Sequence, residues 1–496
     1  GMKSRMSIGE LLSEIAFSSF TGSPETTVSG ITCFSREAEE GDIFAALKGY
    51  AEDGRRYAEE AVRMGAVAVL SDNGPLPGFP PGVPWIVSGK AREAFSAAAA
   101  RLYPVQGKGP KLAGITGTNG KTTITYLLRN IFRECGGGGI LSTIEYDDGE
   151  KLTEASRTTP EAPFVHKWIR KLAESGRPFA AMEVSSHSLE LHRVSALRFD
   201  AAAFTNLTRD HLDFHVTMEK YFEAKRKLFD LVRPEGFSVI NMEDNYGVRL
   251  VSELEGRKVA KVGSAPPSDI YPSSVEMSIR GIEGTAVTPW GNIAVSSPLV
   301  GKYNLTNILM ASGIAASMGI NPDDIARGIM KTAGVPGRME KVDAGQDFSV
   351  FVDYAHTDDA LKNLLSNLKP LTEGKLITVF GCGGNRDKTK RPLMGAVSTR
   401  LSDVVVLTAD NSRNENPEDI ARDVEAGIKP ELSGGKTYVR EMDRRKAMKR
   451  AFALATKGDA VVIAGKGHEK YQTVSGVSAP FHDPTVAMEI LKEMAG

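Results

Sequence analysis

The sequence predicts an α/β protein of three domains, on three observations. Short apolar runs rich in Val, Ile and Ala recur along the chain, each followed by a helical pattern, as in mostly parallel sheets covered by helices. The 496 residues leave room for about three domains of ordinary size. Boundaries fall near residues 105 and 335, giving blocks 1–104, 105–334 and 335–496.

Within residues 1–104, Asp42–Leu47 and Ala66–Leu70 read as strands, with a helical pattern near Tyr57–Met64 between them. The Pro/Gly-rich run Asn73–Gly82 is a surface loop, since strand-like Trp85–Val87 follows at once. Tyr103–Pro110 makes a better boundary. In the second block Lys111–Ile115 reads as a strand and Ile124–Phe132 as a helix. Phe179–Val184, Ala201–Thr205 and Phe237–Ile240 are buried-strand candidates, and residues 265–300 read as an added β-hairpin layer. The third block carries Val350–Asp353, Leu376–Phe380, Val404–Leu407 and Ala460–Ala464, each ending where open α/β sheets place their ligands. It reads as Rossmann-like, although Arg386 stands where a dinucleotide fingerprint after Gly381 would need its third glycine.

Composition excludes several classes. Sixty-one basic residues against 62 acidic ones leave a net charge of -1, so no global field draws the chain to nucleic acid or an anionic membrane. No apolar run approaches the roughly 18 residues of a membrane span, and the N-terminus lacks the apolar core of a signal peptide. Cys33, Cys135 and Cys382 lie far apart and form no CxxC pair, which speaks against a disulfide framework or zinc site and for a reducing cytoplasm. No coiled coil is visible, so a monomer is expected.

The segment Gly114–Thr123 reads Gly-Ile-Thr-Gly-Thr-Asn-Gly-Lys-Thr-Thr, between a strand and a helix. Gly117 and Gly120 let backbone N–H groups close around phosphate oxygens. Lys121 adds a point charge, and the Thr122 hydroxyl can ligate Mg²⁺. Ile115 occupies the place of the first glycine of a strict Walker A loop, so this is a variant phosphate loop. ATP binding is expected. Glu183 ends a buried strand, well placed to hold Mg²⁺ against nucleotide phosphates; its bland alternative is a helix-capping acid. Asp210, His211, Asp213 and His215 form a second cluster able to bind metal or accept protons, or simply to bond within a loop. From Thr217, a plausible N-cap, a helix is predicted through Val232 with an apolar stripe at 218, 222, 225, 229 and 232. Lys225 lies in mid-stripe. It is either a snorkelling lysine or a desolvated one with a depressed pKa, able to react.

Gly117–Thr123, Met182–His187, Asp210–His215 and Phe222–Lys225 together resemble the Mur ligases of peptidoglycan synthesis. The resemblance continues, in order, through Asn304–Asn307, Gly337–Glu340, Asp353–Thr357, Gly381–Asp387 and Gly465–Glu469. It implies an N-terminal UDP-sugar-binding domain, a central ATPase domain and a C-terminal ligase domain that binds an amino acid. ATP would be held by Gly117, Thr118, Asn119, Gly120, Lys121, Thr122, Thr123, Asn304, Asn307, Arg338, Asp353 and His356. Asn304 and Asn307 resemble an adenine-contacting pair, Asp353 a ribose contact, and Arg338 an arginine brought to the phosphates. Thr122 and Glu183 resemble partners of a first Mg²⁺. The lysine at the position of Lys225 is carbamylated by CO₂ in that family, an N6-carboxylysine helping to hold a second Mg²⁺ near His211. Lys121, His211, Lys225 and Arg338 are thus the expected catalytic set. Ser35, Arg36, Thr158, Thr159, Ser185 and Arg193 match contacts to a UDP-muramoyl dipeptide. Phe34, Tyr50 and Leu191 depart from the family pattern there.

Within the family the chain resembles the branch that adds the third amino acid of the peptide. Its site is implied at Arg386, Asp410, Asn411, Arg413, Gly465 and Glu469, with Glu469 orienting the incoming ammonium. Members that add diaminopimelate carry Asp-Asn-Pro-Arg; this chain has Asp-Asn-Ser-Arg at 410–413. Arg413 can pair bidentately with a distal carboxylate that lysine lacks. Meso-2,6-diaminopimelate is therefore the expected acceptor, with lysine or ornithine the alternatives. A folylpolyglutamate synthetase shares the chemistry but would lack the Ser35–Arg36 block. A nucleotide-hydrolysing switch would leave Lys225 unexplained.

Overall fold

The computed structural model describes residues 4–48, 53–208 and 217–496. The chain forms two compact units. One holds the described residues up to Pro272 with 286–293 and 307–328; the other holds 273–285, 294–306 and 329–496.

The first unit contains two sheets. In the smaller, Ser19–Thr21, Trp85–Val87, Ala68–Ser71, Asp42–Ala46 and Gly30–Thr32 lie side by side, the first pair antiparallel and the rest parallel. Alternation sorts its residues between two layers. Ile43 and Ala45 pack with Phe95 and Leu102 of the helix Ala91–Leu102, while Phe44 and Ala46 face Ala58 and Ala61.

The larger sheet has eight strands, in the order Leu152–Glu154, Glu145–Asp147, Gly138–Leu141, Phe179–Glu183, Lys111–Thr116, Phe199–Phe204, Val232–Asn241 and Val259–Val262. The last six run parallel, as the unbroken apolar runs predicted. Register sets Glu183 beside Ile115 and Phe204 beside Thr116, so three strands end together at one edge. The phosphate loop, Glu183 and Thr205 are the first residues at that edge.

Two elements differ from expectation. The helix capped by Thr217, whose hydroxyl accepts from the Lys220 N–H, is α-helical only over Met218–Arg226 and tightens to a 3₁₀ turn over Lys227–Leu231. The strand Val232–Asn241 then begins. Pro234 bars helix from Arg233 onward, because a proline disfavours α geometry in the residue before it and cannot donate to the preceding turn, but the tightening at Lys227 comes earlier in the chain. Residues 265–300 supply three strands rather than a hairpin, Tyr271–Ser278, Gly281–Thr288 and Gly291–Ser297, in sequence order.

The second unit is built on the order Glu340–Lys341, Ser349–Asp353, Ala460–Ala464, Leu376–Phe380, Val404–Leu407 and Thr437–Arg440, parallel after the first pair. Phe351, Phe380, Val462 and Leu407 face Leu361, Leu365, Met394 and Val424 on one side. Val350, Val379, Val406 and Ile463 face Ala447, Met448, Ala487 and Ile490 on the other. This is the doubly wound arrangement expected for residues 335–496.

Candidate active site

The phosphate loop joins the strand Lys111–Thr116 to the helix Lys121–Arg133. Gly117 and Gly120 have φ of 140° and 94°. A Cβ on Gly117 would lie 1.8 Å from Thr205 Oγ1 and 3.1 Å from the Asn206 backbone nitrogen, so conformation and space both demand glycine there; at Gly120 the positive φ does, since the nearest atom, Asn307 Oδ1 at 2.5 Å, ends a movable side chain. The loop is pinned by Asn206. The Thr118 N–H donates to its carbonyl at 2.9 Å, the Asn119 N–H to its Oδ1 at 2.9 Å, and its Nδ2 donates back to Asn119 O at 3.2 Å. Thr118 Oγ1 accepts from the Thr208 N–H. The first N–H groups of the following helix, from Lys121 through Thr123, have no partner within the helix and are suited to phosphate oxygens.

Glu183 is 1% exposed, and it is not a helix cap. Its two oxygens lie 3.0 Å from the Thr122 hydroxyl and accept from the Thr143 N–H at 2.7 Å and hydroxyl at 3.1 Å. The cap of the helix after it, Ser186–Glu190, is Ser185, whose side chain accepts from the Ser188 N–H. A buried carboxylate bonded to a phosphate-loop hydroxyl is a hard-oxygen donor set, and it fits Mg²⁺. Among the described residues no three His, Cys, Asp or Glu side chains cluster as a metal site. His211 and Asp210 lie outside the described residues, as does Tyr50.

Lys225 is not a snorkelling side chain. It is 4% exposed and its Nζ donates to Gly117 O at 3.1 Å, the carbonyl that also accepts from Lys121 Nζ at 2.6 Å. Burial first, and the Lys121 ammonium second, pull its pKa down to about 7. Phe222 and Phe229 of the same stripe are buried in the core.

On the same edge, Thr159 Oγ1 donates to Glu183 O at 2.9 Å and accepts from the Ser185 N–H at 3.2 Å, while Thr143 Oγ1 reaches Thr158 Oγ1 at 3.4 Å. Arg193 donates to Thr159 O at 3.0 Å and pairs with Glu161 at 3.3 Å. Glu161 is also paired with Arg157 at 3.4 Å and lies 4.0 Å from Arg92, so one buried carboxylate serves three guanidinium groups. Ser35 and Arg36 both turn to Glu60, at 3.3 and 3.5 Å. Phe34, the departure from the family pattern, is exposed with the Arg157 guanidinium 5.4 Å above its ring. The structure thus brings Thr158, Thr159, Ser185 and Arg193 together with Thr122 and Glu183. Sequence reasoning missed Asn206, Thr143 and Glu161. Glu161 stands two residues after Thr159 and Asn206 four before Asp210, whereas Thr143 follows a strand end with no spacing signal at all.

The remaining residues belong to the second unit, apart from Asn307. On the helix Lys302–Ser317, Asn304 donates to Val300 O at 3.0 Å. Asp353 accepts from the Met339 and Ala355 N–H groups, both at 2.8 Å, so its carboxylate ties the Arg338 turn to its own strand end. Burial raises its pKa against those two bonds. His356 Nδ1 lies 3.1 Å from Tyr354 O and its ring packs on Tyr354.

Asp410 is buried, accepts from the Asn411 N–H, and lies 2.5 Å from where a Gly465 Cβ would stand. Asn411 Nδ2 donates to Glu469 Oε2 at 2.9 Å. Arg413, at φ 53°, donates from Nη1 to Gly384 O at 2.8 Å rather than dangling in solvent. Arg386 is exposed beside it on the 381–387 turn. Beneath lie two residues that motif reading passed over. Arg391 pairs with Glu415 and Asp423, and fully buried Arg444 pairs with Asp483 while donating to Ala409 O and Ala464 O.

Family models match the chain in three consecutive stretches. These are the Mur ligase family catalytic domain over residues 27–105, the Mur ligase middle domain over 115–315, and the Mur ligase glutamate ligase domain over 337–467. The chain belongs to the Mur ligase family, whose members are ATP-dependent acid–amino-acid ligases. A relative from Gloeobacter violaceus named UDP-N-acetylmuramoyl-L-alanyl-D-glutamate--2,6-diaminopimelate ligase is 43% identical over 472 residues, 95% of either chain. One of the same name from Clostridium tetani is 38% identical over 493 residues, 99% of this chain and 100% of that one. A solved structure titled as that ligase superposes with a TM-score of 0.78 at 32% identity, covering 99% of this chain and 100% of the other. A MurF structure from Acinetobacter baumannii, at 15% identity and a TM-score of 0.64, shares the fold.

Proposed function

We propose that this chain is a MurE-type ligase. It joins an amino group of meso-2,6-diaminopimelate to the D-glutamate γ-carboxylate of UDP-N-acetylmuramoyl-L-alanyl-D-glutamate, converting ATP to ADP and phosphate. The observation that carries the acceptor assignment is Arg413, a guanidinium fixed on Gly384 O, with Asn411 and Glu469 bonded to one another beside it. A site built around an arginine for a second carboxylate leaves that arginine unpaired with lysine, which is the strong kind of discrimination.

The chemistry follows from the groups present. A carboxylate resists attack by an amine, so its oxygen first attacks the γ-phosphorus of ATP, giving an acyl phosphate as ADP leaves. The neutral amine then attacks the acyl carbon, the C–O bond to phosphate breaks, and an amine proton is lost. Lys121 and the N–H groups at the start of its helix hold the phosphates, and Arg338 adds positive charge there. By resemblance, Asn304 and Asn307 take the adenine and Asp353 the ribose, with His356 a further ATP contact. Thr122 and Glu183 would hold Mg²⁺, which neutralises charge developing between the phosphates. Thr158, Thr159, Ser185 and Arg193 orient the dipeptide, and Ser35 with Arg36 the uridine end. The phosphate loop belongs to one unit, and Arg338 and Arg413 to the other.

Lys225 is the residue that CO₂ modifies. The neutral amine, available at pH near 7, forms the N–C bond and loses a proton, turning a cation into a carboxylate that would hold a second Mg²⁺ with His211. The enzyme acts on small molecules in the cytoplasm as a monomer. The reaction is tested by incubating the protein with ATP, Mg²⁺, the UDP-dipeptide and diaminopimelate, then weighing the nucleotide product. Gain of one diaminopimelate residue is expected, and an unchanged UDP-dipeptide overturns the reading. Intact mass at neutral pH with bicarbonate tests the carbamate separately: Lys225 gains one CO₂, and a bare ammonium in active protein refutes that role.

A further inference from the structure

Arg413 is held in place by a hairpin with no other evident task. Tyr471–Val474 and Val477–Pro480 pair antiparallel around a two-residue turn, Ser475-Gly476, with φ of 50° and 78°. Positive φ at both central positions is the I′ geometry of tight hairpins. The second strand is exposed throughout, Val477 to 70%, and a lone two-stranded ribbon is marginal in water.

Its support comes from Lys466, which donates to Tyr471 O, from Ala409 and Asp410, whose carbonyls accept from Gln472 Nε2 at 3.2 and 3.1 Å, and from residues 411–413, each tied to the ribbon. Asn411 Oδ1 accepts from the Thr473 N–H at 2.8 Å. Ser412 Oγ, on a residue 1% exposed, accepts from the Ser475 N–H at 3.1 Å. The Arg413 N–H donates to Thr473 O at 3.1 Å, and its carbonyl accepts from the Gly476 N–H at 2.6 Å. Arg413 itself sits at φ 53°, a region that residues with a Cβ rarely occupy without such bonds.

We infer that the ribbon Tyr471–Pro480, keyed through the buried Ser412 hydroxyl, is the positioning element that sets the Arg413 guanidinium for the distal carboxylate of the incoming diamino acid. The inference rests on the diaminopimelate reading above. A proline at 412 would fix φ covalently but would offer no hydroxyl to Ser475. Here serine achieves the fixing by hydrogen bond, which couples acceptor selection to the ribbon. Asn411 extends the coupling, since it holds Glu469 with its other side-chain atom.

The test is steady-state kinetics of the full-length enzyme bearing Ser412→Ala, with Ser475→Gly as control, because glycine keeps the donor and tolerates the positive φ. Ser412→Ala is expected to raise KM for diaminopimelate about three- to tenfold, the size of one net hydrogen bond. KM for ATP and for the UDP-dipeptide, and kcat at saturating diaminopimelate, stay within about twofold. The kcat/KM preference for diaminopimelate over lysine falls by the same factor, and Ser475→Gly leaves every parameter unchanged. An unaltered diaminopimelate KM in Ser412→Ala, or an equal rise in all three KM values, overturns the inference. A wild-type enzyme that does not use diaminopimelate overturns the function reading, and is recognised before any variant is made.

Discussion

Two ammonium groups share one acceptor at the phosphate loop, since Lys121 and Lys225 both donate to Gly117 O. The periodicity of the 218–232 stretch placed Lys225 in an apolar stripe and left its chemistry open between snorkelling and reactive. Burial rules out snorkelling and leaves a desolvated amine, as the reactive reading requires. Because its pKa falls to about 7, the amine is mostly neutral above that pH and protonated below it. Amine-selective arylation read by peptide mass in the nucleotide-free, bicarbonate-free protein should therefore reach half its maximal rate at Lys225 near pH 7, against about 10.4 for surface lysines. A Lys225 profile matching the surface lysines would contradict the burial argument. Thr143 shows what a sequence cannot announce. It bonds Glu183 through side chain and backbone, yet only the sheet register brings residue 143 to residue 183. Thr143→Ala should weaken Mg²⁺–ATP binding about three- to tenfold by titration calorimetry, as one hydroxyl bond is lost.

Single elements were legible where pattern and local chemistry agreed. The strands Leu376–Phe380, Val404–Leu407 and Ala460–Ala464 have the bounds that their apolar runs gave, and Ser349–Asp353 begins one residue before its predicted start at Val350. The helix after Thr217 was drawn too long because its stripe continues while its hydrogen bonding tightens before Pro234. The hairpin at 471–480 was not seen, since its exposed strands have no apolar face to betray them. Buried polar groups also escape periodicity. His166, on the helix Ala162–Glu174, is buried and has its pKa pulled down from 6.5 to about 4. A depressed histidine favours the folded state fully above pH 6.5, and that stability is lost as pH falls toward 4. At pH 5 the loss is about 2 kcal/mol. Urea unfolding at pH 7 and pH 5 should show His166→Leu losing about that much less stability than wild type on acidification. Equal losses would remove His166 as the cause. Arg444 and Asp483 are both 0% exposed, so Asp483→Asn leaves a buried guanidinium half paired and should cost about 3–5 kcal/mol in the same assay.

At the scale of the molecule, ordered motifs told more than any single residue. The phosphate loop alone implies a nucleotide; Glu183, Lys225 and Thr159 are bonded around it, and the ligase roles proposed for them and for Arg413 rest on the ordered family motifs. No described helix is long and apolar enough to cross a bilayer. What sequence could not decide was whether Asp-Asn-Ser-Arg does the work of Asp-Asn-Pro-Arg, because that depends on how Arg413 is held. Phosphate release with ATP, Mg²⁺ and UDP-N-acetylmuramoyl-L-alanyl-D-glutamate, measured separately with meso-diaminopimelate, lysine, ornithine and no amino acid, tests this most directly. Release that requires diaminopimelate, with kcat/KM at least about 100-fold above lysine, is predicted, and Arg413→Ala should remove most of that preference. Release independent of the amino acid, or a preference for lysine, would contradict the account.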